Sequence, residues 1–286
     1  MKLKGLNAII TGANQGLGLK IAEEFIKEGA SIAICARNLE NLELAVTNLK
    51  TLATTNQKII FMKVDVSKED DVKKFITYSI EQLGKIDILI NNAGVYGPKG
   101  LIESIDSKDW ISAFEINLYG VLYTCKHILS HMKKNKYGKI INLSGGGATA
   151  PLPRISAYAA SKAAVVRFTE TLAEECKEEN IFINAIAPGA LNTGFLDEVL
   201  KAGPNVVGKQ FYEKAIKQKE EGGASLENAA KLCTYLASSN GDNINGKLIS
   251  AVWDPWKDLE KYKEELKKSD IYTLRRITPE DRGKKW

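Results

Sequence analysis

Thr11-Gly12-Ala13-Asn14-Gln15-Gly16-Leu17-Gly18 follows a short apolar run, Ala8 to Thr11, and leads into a stretch where Leu17, Ile21, Phe25 and Ile26 recur with helical spacing until Gly29. Glycines at these positions, between a strand and a helix, meet three demands: a sharp turn, a close approach of backbone to ligand, and tight packing of the helix on the sheet. The amides of such a helix start carry partial positive charge and receive phosphate. A glycine triplet alone is equally a plain tight turn. Its place at the end of the first strand and the start of the first helix makes Gly12, Asn14, Gln15, Gly16, Leu17 and Gly18 the expected cradle of a pyrophosphate.

Working outward, short apolar runs continue to alternate with longer segments of helical period, the pattern of a parallel sheet covered by helices. Strands are expected at Ala8–Thr11, Ser31–Ala36, Ile59–Val64, Ile86–Asn91, Lys139–Leu143, Ile181–Ile186 and Lys247–Val252. Helices are expected at Leu17–Glu28, Leu39–Leu52, Glu69–Leu83, Trp110–Lys133, Ala157–Glu178 and Leu226–Leu236. The expected fold class is α/β: a doubly wound, mostly parallel, seven-stranded sheet with helices on both faces, filling residues 1–252. Residues 190–223 interrupt the alternation after the sixth strand, on the side where open α/β sheets bind ligands, and read as a mobile helical cover for a substrate. The tail, residues 253–286, is charged yet carries Trp253, Trp256, Tyr262, Leu266, Ile271, Tyr272, Leu274 and Trp286. So many apolar anchors are foreign to a free solvated tail, which is expected to pack on its own subunit or on a neighbour.

Composition narrows the function classes. With 44% hydrophobic residues over 286 positions the chain can build a large core. Its 40 basic and 35 acidic residues are scattered, so the net charge of +5 marks no face built for nucleic acid. No run approaches the roughly 18 apolar residues of a membrane span, and the polar opening Met1–Leu6 leaves no room for a signal peptide. Cys35, Cys125, Cys176 and Cys233 are far apart with no C-x-x-C pair, as expected of reduced thiols in a cytoplasmic protein.

The second strand ends at Cys35-Ala36-Arg37, where a binder of NAD offers Asp or Glu to the ribose hydroxyls. Arg37 offers instead a planar cation that forks onto a 2′-phosphate. NADP(H) is therefore the favoured dinucleotide and NAD(H) stays open, the alternative being a solvated arginine at the start of a loop. Tyr158 and Lys162 lie four apart in a helical stretch and share one face. A free phenol titrates near 10, too high for proton transfer near neutrality, and the Lys162 ammonium is expected to lower it. A depression of roughly 3 units requires about 4 kcal/mol. His127 and His131 are also four apart, but no further ligands are spaced to join them, so no metal is expected.

The order and spacing of these features resemble the short-chain dehydrogenase/reductases over residues 1–252. The matching residues are Thr11-Gly12-x-x-x-Gly16-Leu17-Gly18, Asp65-Val66, Asn91-Asn92-Ala93-Gly94, Asn117, Tyr158-x-x-x-Lys162 with Ala160-Ser161 between, and Pro188-Gly189 followed by Thr193. The resemblance implies a Rossmann-fold oxidoreductase moving hydride between a nicotinamide and a carbonyl/alcohol pair, assembled as a homodimer or homotetramer. It implies that Asp65 and Val66 meet the adenine, that Asn91, Asn92, Ala93 and Gly94 line the cofactor groove, and that Pro188, Gly189 and Thr193 meet the nicotinamide end. It further implies that Lys162 holds the nicotinamide ribose, that Asn117 holds a water linking Lys162 to solvent, and that Tyr158 protonates the carbonyl oxygen.

One position departs from the pattern. The family places a serine about 13 residues before the tyrosine, and that position is Gly145, with Ser144 one residue short. Either the loop carries an extra residue and Ser144 reaches the site, or the serine is absent and another donor, such as Thr149 or a backbone amide, replaces it. Losing one such donor costs on the order of 3 kcal/mol, so a non-catalytic dinucleotide sensor or partner-binding protein stands as the rival reading. Polar residues of the cover, Lys201, Asn205, Lys209 and Gln210, point to a polar small-molecule substrate.

Overall fold

Runs such as Ala8-Ile9-Ile10 and Ile32-Ala33-Ile34 are apolar on both faces of an extended chain, so they are stable only with helices packed above and below. The computed structural model describes all 286 residues, Met1–Trp286. Strands β1 (Asn7–Thr11), β2 (Ser31–Ala36), β3 (Ile59–Lys63), β4 (Ile88–Asn91), β5 (Gly138–Leu143), β6 (Ile181–Ala187) and β7 (Leu248–Ser250) form one parallel sheet in the order β3-β2-β1-β4-β5-β6-β7. The order runs one way from β1 to β3 and the other way from β4 to β7, so a crevice opens beyond the carboxyl ends of β1 and β4.

Helices α1 (Gly16–Lys27) and α2 (Leu39–Leu52) cover one face. Phe25, Ile21 and Leu42 are fully buried there with Leu232. The opposite face is covered by α3 (Glu69–Leu83), then α4 (Ser107–Phe114), α5 (Gly120–Lys134) and α6 (Ser156–Glu175). Phe75, Ile128 and Val165 fill the core beneath them. The single helix expected over Trp110–Lys133 is broken: a π-helical turn, Glu115–Tyr119, separates α4 from α5. The extra residue turns Asn117 inward, where it is fully buried. Such bulges mark functional positions in helices.

Residues 190–223 form α7 (Gly194–Ala202), α8 (Pro204–Val207) and α9 (Lys209–Glu221). The two ends of this cover are pinned together, Ala224 N–H donating to the Ala190 carbonyl at 2.8 Å. Leu196, Val199, Val207 and Ala215 give it a small core, against which Tyr96 packs. Helix α10 (Leu226–Ala237) returns to the α1 face.

The tail folds onto its own chain. Trp256, Leu259 and Leu266, the last in α11 (Lys263–Lys268), are buried in the core of the α1 face. The Tyr272 carbonyl accepts from Leu248 N–H at 2.8 Å, and Lys247 Nζ donates to the Ser269 carbonyl at 2.8 Å, so the tail lies along β7. β7 is shorter than expected, although Ala251 N–H still donates to the Ala187 carbonyl at 3.0 Å, while Asp254 Oδ2 takes the Ser250 N–H at 2.6 Å. All four cysteines are free and buried, and burial pushes Cys35 and Cys125 up to about 12. No helix is long and apolar enough to cross a membrane.

Candidate active site

The glycine turn between β1 and α1 lies against the loop after β4. A β-carbon at Gly12 would sit 2.9 Å from Ala93 Cα, and one at Gly18 would overlap the Gly12 carbonyl oxygen and Asn92 Nδ2. Asn92 Nδ2 donates to the carbonyls of Thr11 and Gly12, each at 3.0 Å, while Thr11 Oγ1 accepts the amides of Asn92 and Ala93, each at 3.1 Å. The turn is thereby fixed without using the first amides of α1: its N-cap, Gln15, makes no side-chain capping bond. Amides at Gly16, Leu17 and Gly18 are left for an anion, and a dinucleotide fits this cradle.

Arg37 is exposed at the end of β2, whose Cys35 carbonyl accepts the Gly12 amide at 2.8 Å. Val66 is buried against Gly120 and, with Thr11 and Ala93, lines a small cleft at the crevice. Asp65 Oδ1 accepts from the Ser67 amide at 3.0 Å and its hydroxyl at 2.8 Å, which orders the β3–α3 turn. The Asn91 side chain is directed into the protein. It donates to Asn142 Oδ1 at 2.9 Å and accepts from Thr124 Oγ1 at 2.7 Å, a buried polar ladder, and Asn91 also lines the small cleft with Val66 and Ala93. Thr193 caps the start of α7, and a β-carbon at Gly16 would lie 3.6 Å from its methyl group, so the root of the cover lies close to the phosphate turn. Gly189, after Pro188, packs against Val252 and Ala224.

Asn117, Tyr158 and Lys162 come together at the carboxyl end of β5. Asn117 Oδ1 accepts the Val95 amide at 2.8 Å, and its Nδ2 donates to the Val95 carbonyl and to Ser161 Oγ, both at 2.9 Å. A β-carbon at Gly94 would lie 3.1 Å from Asn117 Oδ1 and 3.5 Å from Lys162 Nζ, so this glycine seats both groups. Lys162 is buried and donates to the Leu143 carbonyl at 2.6 Å. Burial pushes it down to about 8.

The expected lowering of Tyr158 by Lys162 is not what this geometry gives. The phenol is pushed well above its ordinary value by burial, with the neighbouring Tyr96 phenol adding to the rise. The lysine charge does not offset this, because the ammonium is directed to Leu143 O and lies 5.8 Å from the Tyr158 ring centre.

Gly145, not Ser144, is the residue against the phenol. A β-carbon at Gly145 would overlap Tyr158 Oη and lie 3.1 Å from Cζ. Ser144 still belongs to the sheet ladder, its amide donating to Ile186 O at 2.8 Å, and its hydroxyl is buried without a partner. Thr149 is exposed.

Sequence reasoning missed the wall around Tyr158. Tyr96, two residues past Gly94, meets the Tyr158 ring edge-on with centroids 4.8 Å apart, and Phe195 of α7 packs on Tyr96 at 4.6 Å. Two polar ties hold the cover: Lys99 Nζ to Glu198 Oε2 at 2.7 Å, and Arg154 Nη1 to the carbonyls of Asn205 and Val206 at 3.1 and 3.2 Å. Lys201, Asn205, Lys209 and Gln210 are all exposed, so their polarity reflects the solvent side of the cover and carries no information about the substrate.

The model of the short chain dehydrogenase family matches residues 6–203, and the chain belongs to that family. It is 40% identical over 185 residues to the Arabidopsis thaliana 11-beta-hydroxysteroid dehydrogenase-like 3, a match covering 65% of this chain and 59% of that protein. It is 32% identical over 249 residues to the Caenorhabditis elegans dehydrogenase/reductase SDR family member 4, covering 87% and 94% of the two chains. Among solved structures it is similar to a 7α-hydroxysteroid dehydrogenase complexed with NADH and 7-oxo glycochenodeoxycholic acid, with TM-score 0.77, 28% identity, and 87% and 93% of the chains covered. The protein is therefore an oxidoreductase of the class that acts on CH–OH and C=O groups.

Proposed function

We propose that this enzyme uses NADPH to interconvert a carbonyl and an alcohol, with Tyr158 as general acid and base. The observation that carries the reading is the Tyr158 hydroxyl, free of protein partners, on the same helix face as a buried Lys162. Bound NADPH supplies the hydride. The chain's own part is to hold the pyrophosphate at Gly12, Asn14, Gln15, Gly16, Leu17 and Gly18 and to pair Arg37 with the 2′-phosphate. Asp65 and Val66 bound the adenine end; Asn92, Ala93, Gly94, Pro188, Gly189 and Thr193 bound the nicotinamide end. Burial keeps the Tyr158 proton in place near neutrality, which suits an acid that protonates a carbonyl oxygen. Lys162, pushed down to about 8, titrates in a range where it can return that proton. Asn117 positions this pair by fixing Val95 and Ser161.

Gly145 favours a second reading, a protein that holds the dinucleotide without turning it over. Titration with NADPH and with NADH, followed by nicotinamide fluorescence in wild type and Arg37→Ala, tests the cofactor assignment. Loss of a charged hydrogen-bonded contact is expected to weaken NADPH by about 10- to 100-fold and leave NADH within about twofold; equal losses would sink the 2′-phosphate pairing. Consumption of reduced nicotinamide across a carbonyl panel, abolished in Tyr158→Phe, separates enzyme from sensor.

A further inference from the structure

Gly145 leaves the reacting oxygen with Tyr158 as its side-chain donor and no hydroxyl at the position before it in the family pattern. The structure sets a second phenol against the first. Tyr96 meets Tyr158 at 4.8 Å between ring centres with planes at 73°. Neither hydroxyl is engaged by a protein hydrogen bond, so both are left to a ligand. Tyr96 also cannot wander. Both backbone groups of the preceding Val95 are clamped by the buried Asn117 amide, at 2.8 and 2.9 Å, and the Tyr96 ring packs on Phe195 with planes at 33°, Phe195 itself standing edge-on to Tyr158 at 6.2 Å. The other hydroxyls near the loop are less well placed: Ser144 Oγ is buried without a partner, and Thr149 is exposed.

We propose that Tyr96 is a catalytic residue, its hydroxyl donating the second hydrogen bond to the carbonyl oxygen that Tyr158 protonates, while Tyr96 and Phe195 form the wall on which a planar carbonyl compound lies. This rests on the reading of the site as a carbonyl/alcohol oxidoreductase. In the reductive step hydride from NADPH adds to the carbonyl carbon, the π pair of the C=O bond moves to oxygen, and that oxygen takes the Tyr158 proton. The Tyr158 phenolate is reprotonated from the Lys162 side. Tyr96 keeps its own proton and lends only a hydrogen bond, the service that a serine hydroxyl performs elsewhere. Burial and the Glu198 charge push Tyr96 up to about 12, so it remains a donor throughout the neutral range.

The test uses the full chain with saturating NADPH and phenanthrenequinone, a planar aromatic diketone, as probe. Reduction is followed by loss of reduced nicotinamide and binding by calorimetry, in wild type, Tyr96→Phe, Phe195→Leu and Tyr158→Phe. Tyr96→Phe keeps the ring and is expected to lower kcat on the order of 100-fold with KM moved less than about threefold. Phe195→Leu, which alters only the wall, is expected to raise KM and spare kcat. Unchanged turnover in Tyr96→Phe, with Tyr158→Phe inactive, overturns the assignment and leaves the oxidoreductase reading standing. Should wild type bind the diketone without reducing it, that reading fails for this probe and affinity decides: weaker binding in Tyr96→Phe supports the hydrogen bond, and equal binding overturns it. A wild type that neither binds nor reduces the diketone overturns the aromatic carbonyl site itself.

Discussion

Gly18 lies at the phosphate turn and Gly145 beside Tyr158, and at neither is there room for a β-carbon, yet different things exclude it. At Gly18 the obstacles are the Gly12 carbonyl oxygen and the Asn92 amide nitrogen, itself bonded to two backbone carbonyls. At Gly145 the obstacle is the tip of the Tyr158 side chain. The cofactor end is thus built from backbone that cannot yield, and the substrate end from side chains that can shift. Stability and cofactor binding are tied to the first, turnover to the second.

Adding one methyl group at each place separates the two ends. Gly18→Ala forces backbone apart and is expected to cost about 3 kcal/mol of stability, the upper end for an overpacked site. Urea unfolding would show it, with NADPH affinity lost in parallel. Gly145→Ala displaces only the phenol, so kcat is expected to fall roughly 30-fold, about 2 kcal/mol of transition-state stabilisation. Its unfolding midpoint and NADPH affinity should stay near wild type; a large loss of stability there would erase the distinction.

Lys162 gives the smallest and most pH-dependent effect. The folded protein holds it near 8 whereas its ordinary value is 10.5. Between those values the unfolded chain binds more protons, so this group's burial penalty is full below about pH 8 and fades as the pH rises toward 10.5. Lys162→Met removes the penalty but also the bond to Leu143 O. The net gain is expected to be on the order of 2 kcal/mol at pH 7, shrinking by pH 9.5, in a protein that no longer turns over. Paired urea titrations at the two pH values check it, and a gain independent of pH would contradict a charged buried lysine.

The same contrast explains what the sequence discloses. Seven strands are legible because strands covered on both faces are written as continuous apolar runs, and the phosphate cradle because its glycines answer to backbone geometry within one short segment. The break in the helix at Glu115–Tyr119 is not legible, since a single wider turn leaves each flanking apolar stripe intact and only offsets one against the other, which a short stripe does not reveal. The wall around Tyr158 is hidden for another reason. Tyr96, Gly145, Tyr158 and Phe195 come from four separate segments, and an aromatic residue two places past Gly94 looks like ordinary core until the fold sets it beside Tyr158. Polar residues on the cover say little about the substrate either way, because an amphipathic helix shows solvent its polar side whatever lies beneath.

A parallel sheet ends in a strand whose outer amides and carbonyls would accept any extended chain. Here the chain supplies its own final layer: the Tyr272 carbonyl takes the outer Leu248 amide, and the Ser269 carbonyl takes the Lys247 side-chain ammonium beside it. Resistance to aggregation is in this respect a property of a detachable strap rather than of the sheet. A protease nick after Val252, or a fusion that drags the tail away, would bare the strand edge together with the apolar seam of Trp256, Leu259 and Leu266. Such a sample is expected to be lost to precipitation before its catalytic machinery is damaged.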